Sequence, residues 1–90
     1  MEARKKVRIV NLQGLHARPC HAIVSTALDF SSDLRVALGA HEVNGRSILE
    51  LMTLVAPVDT VLTLRATGDD AERLIARLSD LIESGFDEVD

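Results

Sequence analysis

The sequence predicts an α+β domain in which three helices cover one face of a four-stranded antiparallel sheet. Three segments alternate polar and apolar residues, and two repeat apolar residues at helical spacing. With a short strand after a hairpin turn and a short helix that a capping box predicts, the order is strand, helix, strand, strand, helix, strand, helix. In such an order an antiparallel sheet can bury one face under helices and leave the other in water. With 90 residues, 47% of them hydrophobic, we expect a single domain over residues 1–90.

The first strand and the first helix are predicted within residues 6–28. Residues 6–10 alternate basic with β-branched side chains, which is typical of a half-buried strand. After a loop over residues 11–15 the period becomes helical from His16. The predicted apolar face of this helix comprises Cys20, Ile23, Val24, Ala27 and Leu28. Two serines and an aspartate at residues 31–33 end the helix.

The middle of the chain predicts a hairpin followed by a short helix. Residues 34–38 alternate as a second strand, a Gly-Ala turn follows, and residues 41–43 form a short third strand. Ser47 and Glu50 have the spacing of a capping box, with the serine at the N-cap and the glutamate three residues later. We therefore expect a helix that ends near Thr53 or Leu54.

The last strand and helix follow Pro57 and Asp59. Residues 61–66 are rich in strand-forming side chains and predict the fourth strand. Asp69 is predicted to cap the final helix, and Gly85 to follow its end. The apolar stripe of this helix comprises Leu74, Ile75, Leu78, Leu81 and Ile82. From about Phe86 the chain is predicted to form a short, frayed acidic tail.

Composition and charge narrow the possible functions. Trp and Tyr are absent and Phe occurs twice, so there is little material for base stacking and nucleic-acid binding is disfavoured. Cys20 is the single cysteine, and neither a signal peptide nor a long apolar run is evident, so we expect a cytoplasmic protein without membrane insertion. Residues 1–46 carry 7 basic and 4 acidic residues, which would steer acidic or phosphorylated partners toward that half. Nothing demands more than a monomer.

A candidate phosphate site lies in the segment Gly-Leu-His-Ala-Arg-Pro at residues 14–19. His16 is placed where a loop meets a helix N-terminus, whose unpaired N–H groups and partial positive charge favour an anion. An imidazole titrates near neutral pH, so an unprotonated ring nitrogen is available as a nucleophile without a strong base. Pro19 falls in the first helical turn, where a missing N–H costs nothing.

Together with the segment Asn-Gly-Arg-Ser-Ile-Leu at residues 44–49, this motif resembles the HPr family, the histidine-containing phosphocarriers of the bacterial phosphoenolpyruvate-dependent phosphotransferase system. The resemblance covers nearly the whole chain and implies an open-faced sandwich. It implies that His16 accepts a phosphoryl group on Nδ1 from phosphorylated enzyme I and passes it to downstream proteins of the system. Arg18 and the backbone amides of Ala17 and Arg18 would contact the phosphate. Such a carrier is not a free-standing enzyme and needs no cofactor.

Two further features near the second motif have alternative interpretations. In one branch of the family a dedicated HPr kinase phosphorylates the serine that corresponds to Ser47, whereas the capping box makes Ser47 a structural N-cap whose partner Glu50 would repel a phosphate. The helix that follows is too short to bury all of its apolar residues. Some of them are therefore predicted to form a docking patch for enzyme I and the acceptors, and the rest core: Ile48, Leu49, Leu51 and Met52.

Other functions stay open at this stage. The chain could be a regulatory module whose phosphorylation controls a kinase or transcription factor, or His16 could merely cap the helix. His16, Cys20 and His21 could hold a soft metal, although Cys20 lies on the apolar stripe and His21 projects about 100° away from it. The family usually has alanine at the position of Cys20, so a thiol near His16 invites the hypothesis that its oxidation or alkylation disturbs the first helical turns.

Overall fold

The computed structural model describes residues 1–87, which form the seven predicted elements in the predicted order. The strands are β1 (Glu2–Arg8), β2 (Asp33–Leu38), β3 (His41–Asn44) and β4 (Val61–Thr67). The helices are α1 (Ala17–Ala27), α2 (Ile48–Met52) and α3 (Ala71–Glu83). The α+β class is therefore confirmed.

The four strands form one antiparallel sheet in the order β1-β4-β2-β3. Leu64 lies in the central strand β4, opposite Lys5 of β1 and Val36 of β2, and Val36 in turn lies opposite Val43 of β3. Along β4 the even-numbered residues are buried and the odd-numbered ones are not. This alternation gives the sheet one face toward the core and one toward solvent, as the open-faced sandwich requires.

The helices pack over the buried face of the sheet. α3 contacts β1 and β4, and α1 contacts both α2 and α3. The core is almost entirely aliphatic, because each helix contributes one apolar stripe and the strands contribute alternate residues. Burying a leucine, isoleucine or valine side chain stabilises a fold by roughly 1.5–3 kcal/mol relative to leaving it exposed, so these side chains are the main favourable contribution to folding of this domain.

β1 begins four residues earlier than predicted and ends two residues earlier. It pairs with β4 at all seven positions, from Glu2 opposite Thr67 to Arg8 opposite Val61. The sequence does not show the alternation of β1 clearly, because a lysine, Lys5, stands between Ala3 and Val7 where an apolar residue would continue the pattern. Lys5 lies on an edge strand and is exposed. Ile9 lies beyond the strand but is fully buried, and its N–H donates to the Thr60 carbonyl at 2.9 Å.

The end of α1 differs from the prediction in one residue, which was expected on the buried apolar stripe and is exposed instead. Leu28, expected on the buried face, is the C-cap residue and is 60% exposed. The guanidinium of Arg46 reaches carbonyls at the end of α1 and just after it, donating to those of Ala27 and Phe30 at 3.2 Å and of Ser32 at 3.4 Å. Arg46 therefore binds the end of α1 to the segment that precedes α2, a role that the sequence motif did not reveal.

Gly85 ends α3 as predicted, but Phe86 does not begin a frayed tail. Gly85 has φ +77°, and the N–H groups of Gly85 and Phe86 donate to the carbonyls of Ile82 and Leu81, which is the Schellman arrangement. The Phe86 ring is 8% exposed and belongs to the core. The prediction of a tail from residue 86 is therefore wrong for Phe86, while residues 88–90 lie outside the described residues.

The N-terminus of α3 is capped one residue later than predicted. The N-cap is Asp70, not Asp69, and its carboxylate forms no capping hydrogen bond with the described residues. Instead the carboxylate accepts from the backbone N–H groups of Ser31 at 2.9 Å and Ser32 at 3.0 Å, and from the Ser32 hydroxyl. Asp70 thus ties the start of α3 to the loop between α1 and β2, and these hydrogen bonds, led by the one from Ser32, lower the pKa of its carboxyl.

We expect Asp70→Asn to lower the melting temperature at neutral pH, because an amide oxygen is a weaker acceptor than a carboxylate for these three donors. The pKa of Asp70 is lower in the folded chain than in the unfolded chain. Its stabilising contribution is therefore present above pH 4 and is lost as the pH falls through the folded pKa. Melting curves between pH 7 and pH 2 should show the two proteins converging in acid. Asp69→Asn, a neighbouring exposed carboxylate, is the control, and an equal effect of both variants would contradict the assignment.

Candidate functional site

His16 is the N-cap residue of α1, where the sequence predicts it. Its backbone is extended, with φ −102° and ψ −169°, its N–H donates to the Gly14 carbonyl at 3.1 Å, and its carbonyl accepts from Cys20 N–H at 3.1 Å. The side chain is partly exposed, and within residues 1–87 it makes no capping hydrogen bond to the helix. The imidazole therefore does not cap the N–H groups of α1. This observation argues against the alternative in which the His16 side chain serves only as a helix cap.

Backbone N–H groups at the start of α1 have no acceptor within the helix. Ala17 and Arg18 occupy the first two helical positions. The first N–H group of α1 with an acceptor in the helix pattern is that of Cys20, which donates to the His16 carbonyl. The amides of Ala17 and Arg18 thus have no carbonyl partner within the helix, while Pro19 at the third position has no N–H to satisfy. The first turn carries no acidic side chain. An anion next to His16 would meet two N–H donors and the positive end of the helix dipole without repulsion from that turn.

The loop before His16 is held against the chain that follows α2. Leu15 N–H donates to the Ala56 carbonyl at 2.8 Å, and the buried Asn11 side-chain amide donates to the Gly14 carbonyl at 2.8 Å. Gly14 has φ +72°, and a Cβ there would lie 2.5 Å from the Ala56 oxygen and 2.9 Å from the Pro57 Cα. Only glycine fits this close approach, which fixes how the chain enters α1 and so where His16 lies.

Arg18 follows His16 by two residues and is exposed. Within residues 1–87 its guanidinium forms no ion pair or hydrogen bond. A guanidinium on a flexible stem can move onto a phosphate and away again, and it binds phosphate oxygens through several N–H groups at once. The geometry therefore leaves Arg18 available to the ligand rather than committed to the fold.

Ser47 caps α2 in the predicted way, with one modification. Its Oγ accepts from Glu50 N–H at 3.2 Å, as a capping box requires. The Glu50 carboxylate, however, reaches the backbone N–H of Asn44 at 3.0 Å, not that of Ser47, whose N–H donates to the Asn44 carbonyl at 3.1 Å. Glu50 therefore joins α2 to the turn after β3, and its carboxylate lies one helical turn from the Ser47 hydroxyl.

The four apolar residues predicted as a docking patch separate into core and surface. Leu51 is fully buried, so its placement in the patch is wrong: it is the residue of this short helix that points at the core. Ile48 is partly buried against the core. Leu49 and Met52 are 81% and 44% exposed and leave an apolar surface on α2. The sequence could not make this division, because a five-residue helix is too short to show a period.

Cys20 is fully buried among the core residues of α1, and burial raises the pKa of its thiol to about 11. Burial shields the thiol, and its raised pKa leaves little thiolate near neutral pH, so both features argue against the hypothesis that its oxidation or alkylation disturbs the first helical turns. His21, by contrast, is exposed. Among the described residues no three histidine, cysteine or acidic side chains come close enough to hold a metal ion, so the metal-binding alternative finds no support.

Comparison with known proteins finds relatives over nearly the whole chain. A family model described as the PTS HPr component phosphorylation site matches residues 3–84. The phosphocarrier protein HPr of Neisseria meningitidis is 38% identical over 85 residues, which is 94% of this chain and 96% of that protein.

Solved structures show the same fold. HPr-C-His from Thermoanaerobacter tengcongensis has a TM-score of 0.92 at 42% identity and covers 97% of this chain and 98% of that one. Crh, the catabolite repression protein of Bacillus subtilis, has a TM-score of 0.76 at 32% identity, covers 90% and 93%, and forms a domain-swapped dimer in its crystal. No helix in residues 1–87 has the length and apolar character needed to cross a bilayer.

Proposed function

The chain belongs to the HPr family of phosphocarriers of the phosphotransferase system, and from this premise we propose that His16 is the residue that carries the phosphoryl group. In this proposal phosphorylated enzyme I is the donor, and downstream proteins of the system are the acceptors. The observation that carries the proposal is the position of His16: a partly exposed imidazole at a helix start that offers the Ala17 and Arg18 amides to an anion. The proposed place of action is the cytoplasm.

The transfer needs only a nucleophile and a receptive environment for the phosphate. The unprotonated ring nitrogen, Nδ1 in the proposal, donates its lone pair to phosphorus, the bond between phosphorus and the donor breaks, and the donor keeps that electron pair. The helix start and Arg18 then surround the phosphate oxygens with N–H groups. In the second step a nucleophile of the acceptor attacks phosphorus, and the bond to His16 breaks with its electron pair returning to the imidazole.

A carrier must hold phosphate weakly enough to pass it on. A helix terminus stabilises an anion by about 0.3–1 kcal/mol at an exposed position, and by about 2 kcal/mol when partly buried. Arg18 adds charge-assisted hydrogen bonds that its exposed side chain can also release. Because donor and acceptor must reach the same imidazole in turn, an open site suits this role better than a closed pocket. The chain then acts as a carrier rather than as a free-standing enzyme.

Enzyme I and the acceptors would dock on the apolar surface of α2, which the exposed Leu49 and Met52 provide and the partly buried Ile48 supports. We propose that the chain meets these partners as a monomer. For Ser47 we propose a capping role, because its Oγ is engaged by Glu50 N–H and the Glu50 carboxylate lies close by to repel a phosphate. Modification of Ser47 by an HPr kinase stays a prediction, to be tested by incubation with such a kinase.

The experiment that tests the proposal is phosphorylation of the purified protein. Enzyme I, Mg²⁺ and phosphoenolpyruvate are expected to add one phosphoryl group that is lost in acid, as phosphohistidine is, and retained in base. Addition of an acceptor domain of the system should then remove the label. The proposal would be contradicted if the protein took up no phosphoryl group, or if the phosphoryl group that it took up were stable in acid.

A further inference from the structure

β1 is an edge strand, and half of its backbone groups point away from the sheet. The sheet order places β4 on one side of β1 and no strand of residues 1–87 on the other. The Met1 carbonyl accepts from Gly68 N–H at 2.8 Å, and Ile9 N–H donates to the Thr60 carbonyl at 2.9 Å. Because backbone groups alternate in direction along an antiparallel strand, the odd-numbered residues of β1 bond to β4. The N–H and C=O groups of the even-numbered residues therefore point outward.

The side chains along this outer edge are mostly basic. Arg4, Lys6 and Arg8 lie on the open face of the sheet and are exposed, and Lys5 is exposed although it alternates with them. Glu2, the one acidic residue of β1, is engaged by the Arg4 guanidinium at 2.8 Å. Within the part of the chain that the structure describes, Lys5, Lys6 and Arg8 form no ion pair. Three cations thus flank the outward backbone groups without a carboxylate to neutralise them.

These charges decide which strand can pair with the outer edge of β1. Exposed lysines on an edge strand oppose pairing with apolar strands and so protect against aggregation. A second copy of β1 would bring four basic residues against four others, and like charges across a strand pair are destabilising. An extended segment with acidic residues at alternate positions avoids both penalties, because its backbone takes up the outward groups while its carboxylates meet Lys6 and Arg8. The residues that reject other strands therefore favour an acidic one.

We infer that the outer edge of β1 is a binding site for an extended acidic segment of another protein, which adds to the sheet as a further strand. The segment lies beside Glu2–Arg8, hydrogen-bonded to the even-numbered residues and ion-paired with Lys6 and Arg8. This surface is separate from that of α2, because α2 contacts β3, which forms the opposite edge of the sheet. The inference goes beyond the proposed phosphoryl transfer and does not depend on it.

The test uses a synthetic acidic peptide as the probe and amide hydrogen exchange as the readout. The peptide has the length of β1, seven residues, alternates glutamate with threonine, and is blocked at both ends. When it is added to the ¹⁵N-labelled protein, we expect the amides of Arg4, Lys6 and Arg8 to exchange about tenfold more slowly. The amides of Lys5 and Val7 already bond to β4 and should change less. This alternation distinguishes strand addition from attraction between charges alone.

Matched controls test the role of charge. A peptide with lysine in place of each glutamate should protect none of these amides. The double variant Lys6→Gln, Arg8→Gln should raise the Kd for the acidic peptide about fivefold, because it removes both ion pairs. Both side chains are exposed, so the melting temperature should stay at the parental value. Arg77→Gln removes a positive charge from an exposed residue of α3 and should leave the Kd unchanged.

Three outcomes would overturn the inference. The first is an acidic peptide that does not bind, or that binds without protecting the amides of Arg4, Lys6 and Arg8. The second is an equal rise in Kd for Arg77→Gln. The third is a dimeric parental protein whose even-numbered β1 amides are protected before any peptide is added, because a second copy would then occupy the edge. None of these results bears on the labelling of His16, which tests the proposed function separately.

Discussion

Replacing His16 with alanine is expected to abolish phosphorylation by enzyme I and phosphoenolpyruvate altogether. No other side chain in the first turn of α1 can take over, because Ala17 and Pro19 carry no nucleophile and Cys20 is buried with a thiol pKa of about 11. The substitution should leave the fold intact, since the His16 side chain is partly exposed and lies outside the hydrophobic core. Mass spectrometry of the reaction mixture, together with a melting curve, measures both effects.

The chain supplies its own controls for this substitution. His21 and His41 are both exposed histidines, and His41 lies on β3 with Thr53 Oγ1 at 3.5 Å from its Nε2. His21→Ala and His41→Ala should both accept one phosphoryl group at the parental stoichiometry. Labelling that survives in His16→Ala but disappears in one of these two variants would move the site to that histidine.

Gly14→Ala is expected to be the most destabilising of the substitutions considered in this protein. The new Cβ would meet the Ala56 oxygen and the Pro57 Cα, both backbone atoms that cannot rotate away, and alanine would also hold an unfavourable φ of +72°. Strain and overpacking together predict a loss on the order of 2–5 kcal/mol in the free energy of unfolding. Because the loop leads into α1, the rate of phosphoryl transfer should fall too. Denaturant unfolding and the phosphorylation assay measure the two effects.

Gly39→Ala separates the two causes. Gly39 has φ +59°, close to that of Gly14, but a Cβ there would meet no atom within 4 Å. It should therefore cost only the backbone penalty, about 1–2 kcal/mol, and leave transfer unchanged. Equal losses of stability in the two variants would contradict the role assigned to the contact between Gly14 and the Ala56–Pro57 segment.

The architecture was predictable from sequence because most elements carry a clear period. β4 and α3 show regular alternation and a regular apolar stripe, and the structure places them where the sequence does. The errors occur where tertiary contacts override local pattern. Asp70 rather than Asp69 is the N-cap residue of α3, because the Asp70 carboxylate accepts hydrogen bonds from Ser31 and Ser32. Phe86 is buried because the Schellman turn directs it back to the core.

At the site, the sequence motif located His16, the helix start and Arg18, but not the loop that holds them. The contact between Gly14 and Ala56 joins segments about forty residues apart, and no local pattern announces it. Leu51 was misplaced in the docking patch because α2 is too short to show which side is buried.

The central claim is that a phosphoryl group on His16 is received by the backbone amides at the start of α1. Proton and nitrogen NMR spectra of the ¹⁵N-labelled protein before and after phosphorylation test it most directly, because an amide that gains a hydrogen bond to phosphate moves to lower field. The account predicts that the Ala17 and Arg18 amides show the largest downfield proton shifts and that both return when acid removes the phosphate. Unchanged Ala17 and Arg18 signals in a fully phosphorylated protein would contradict it.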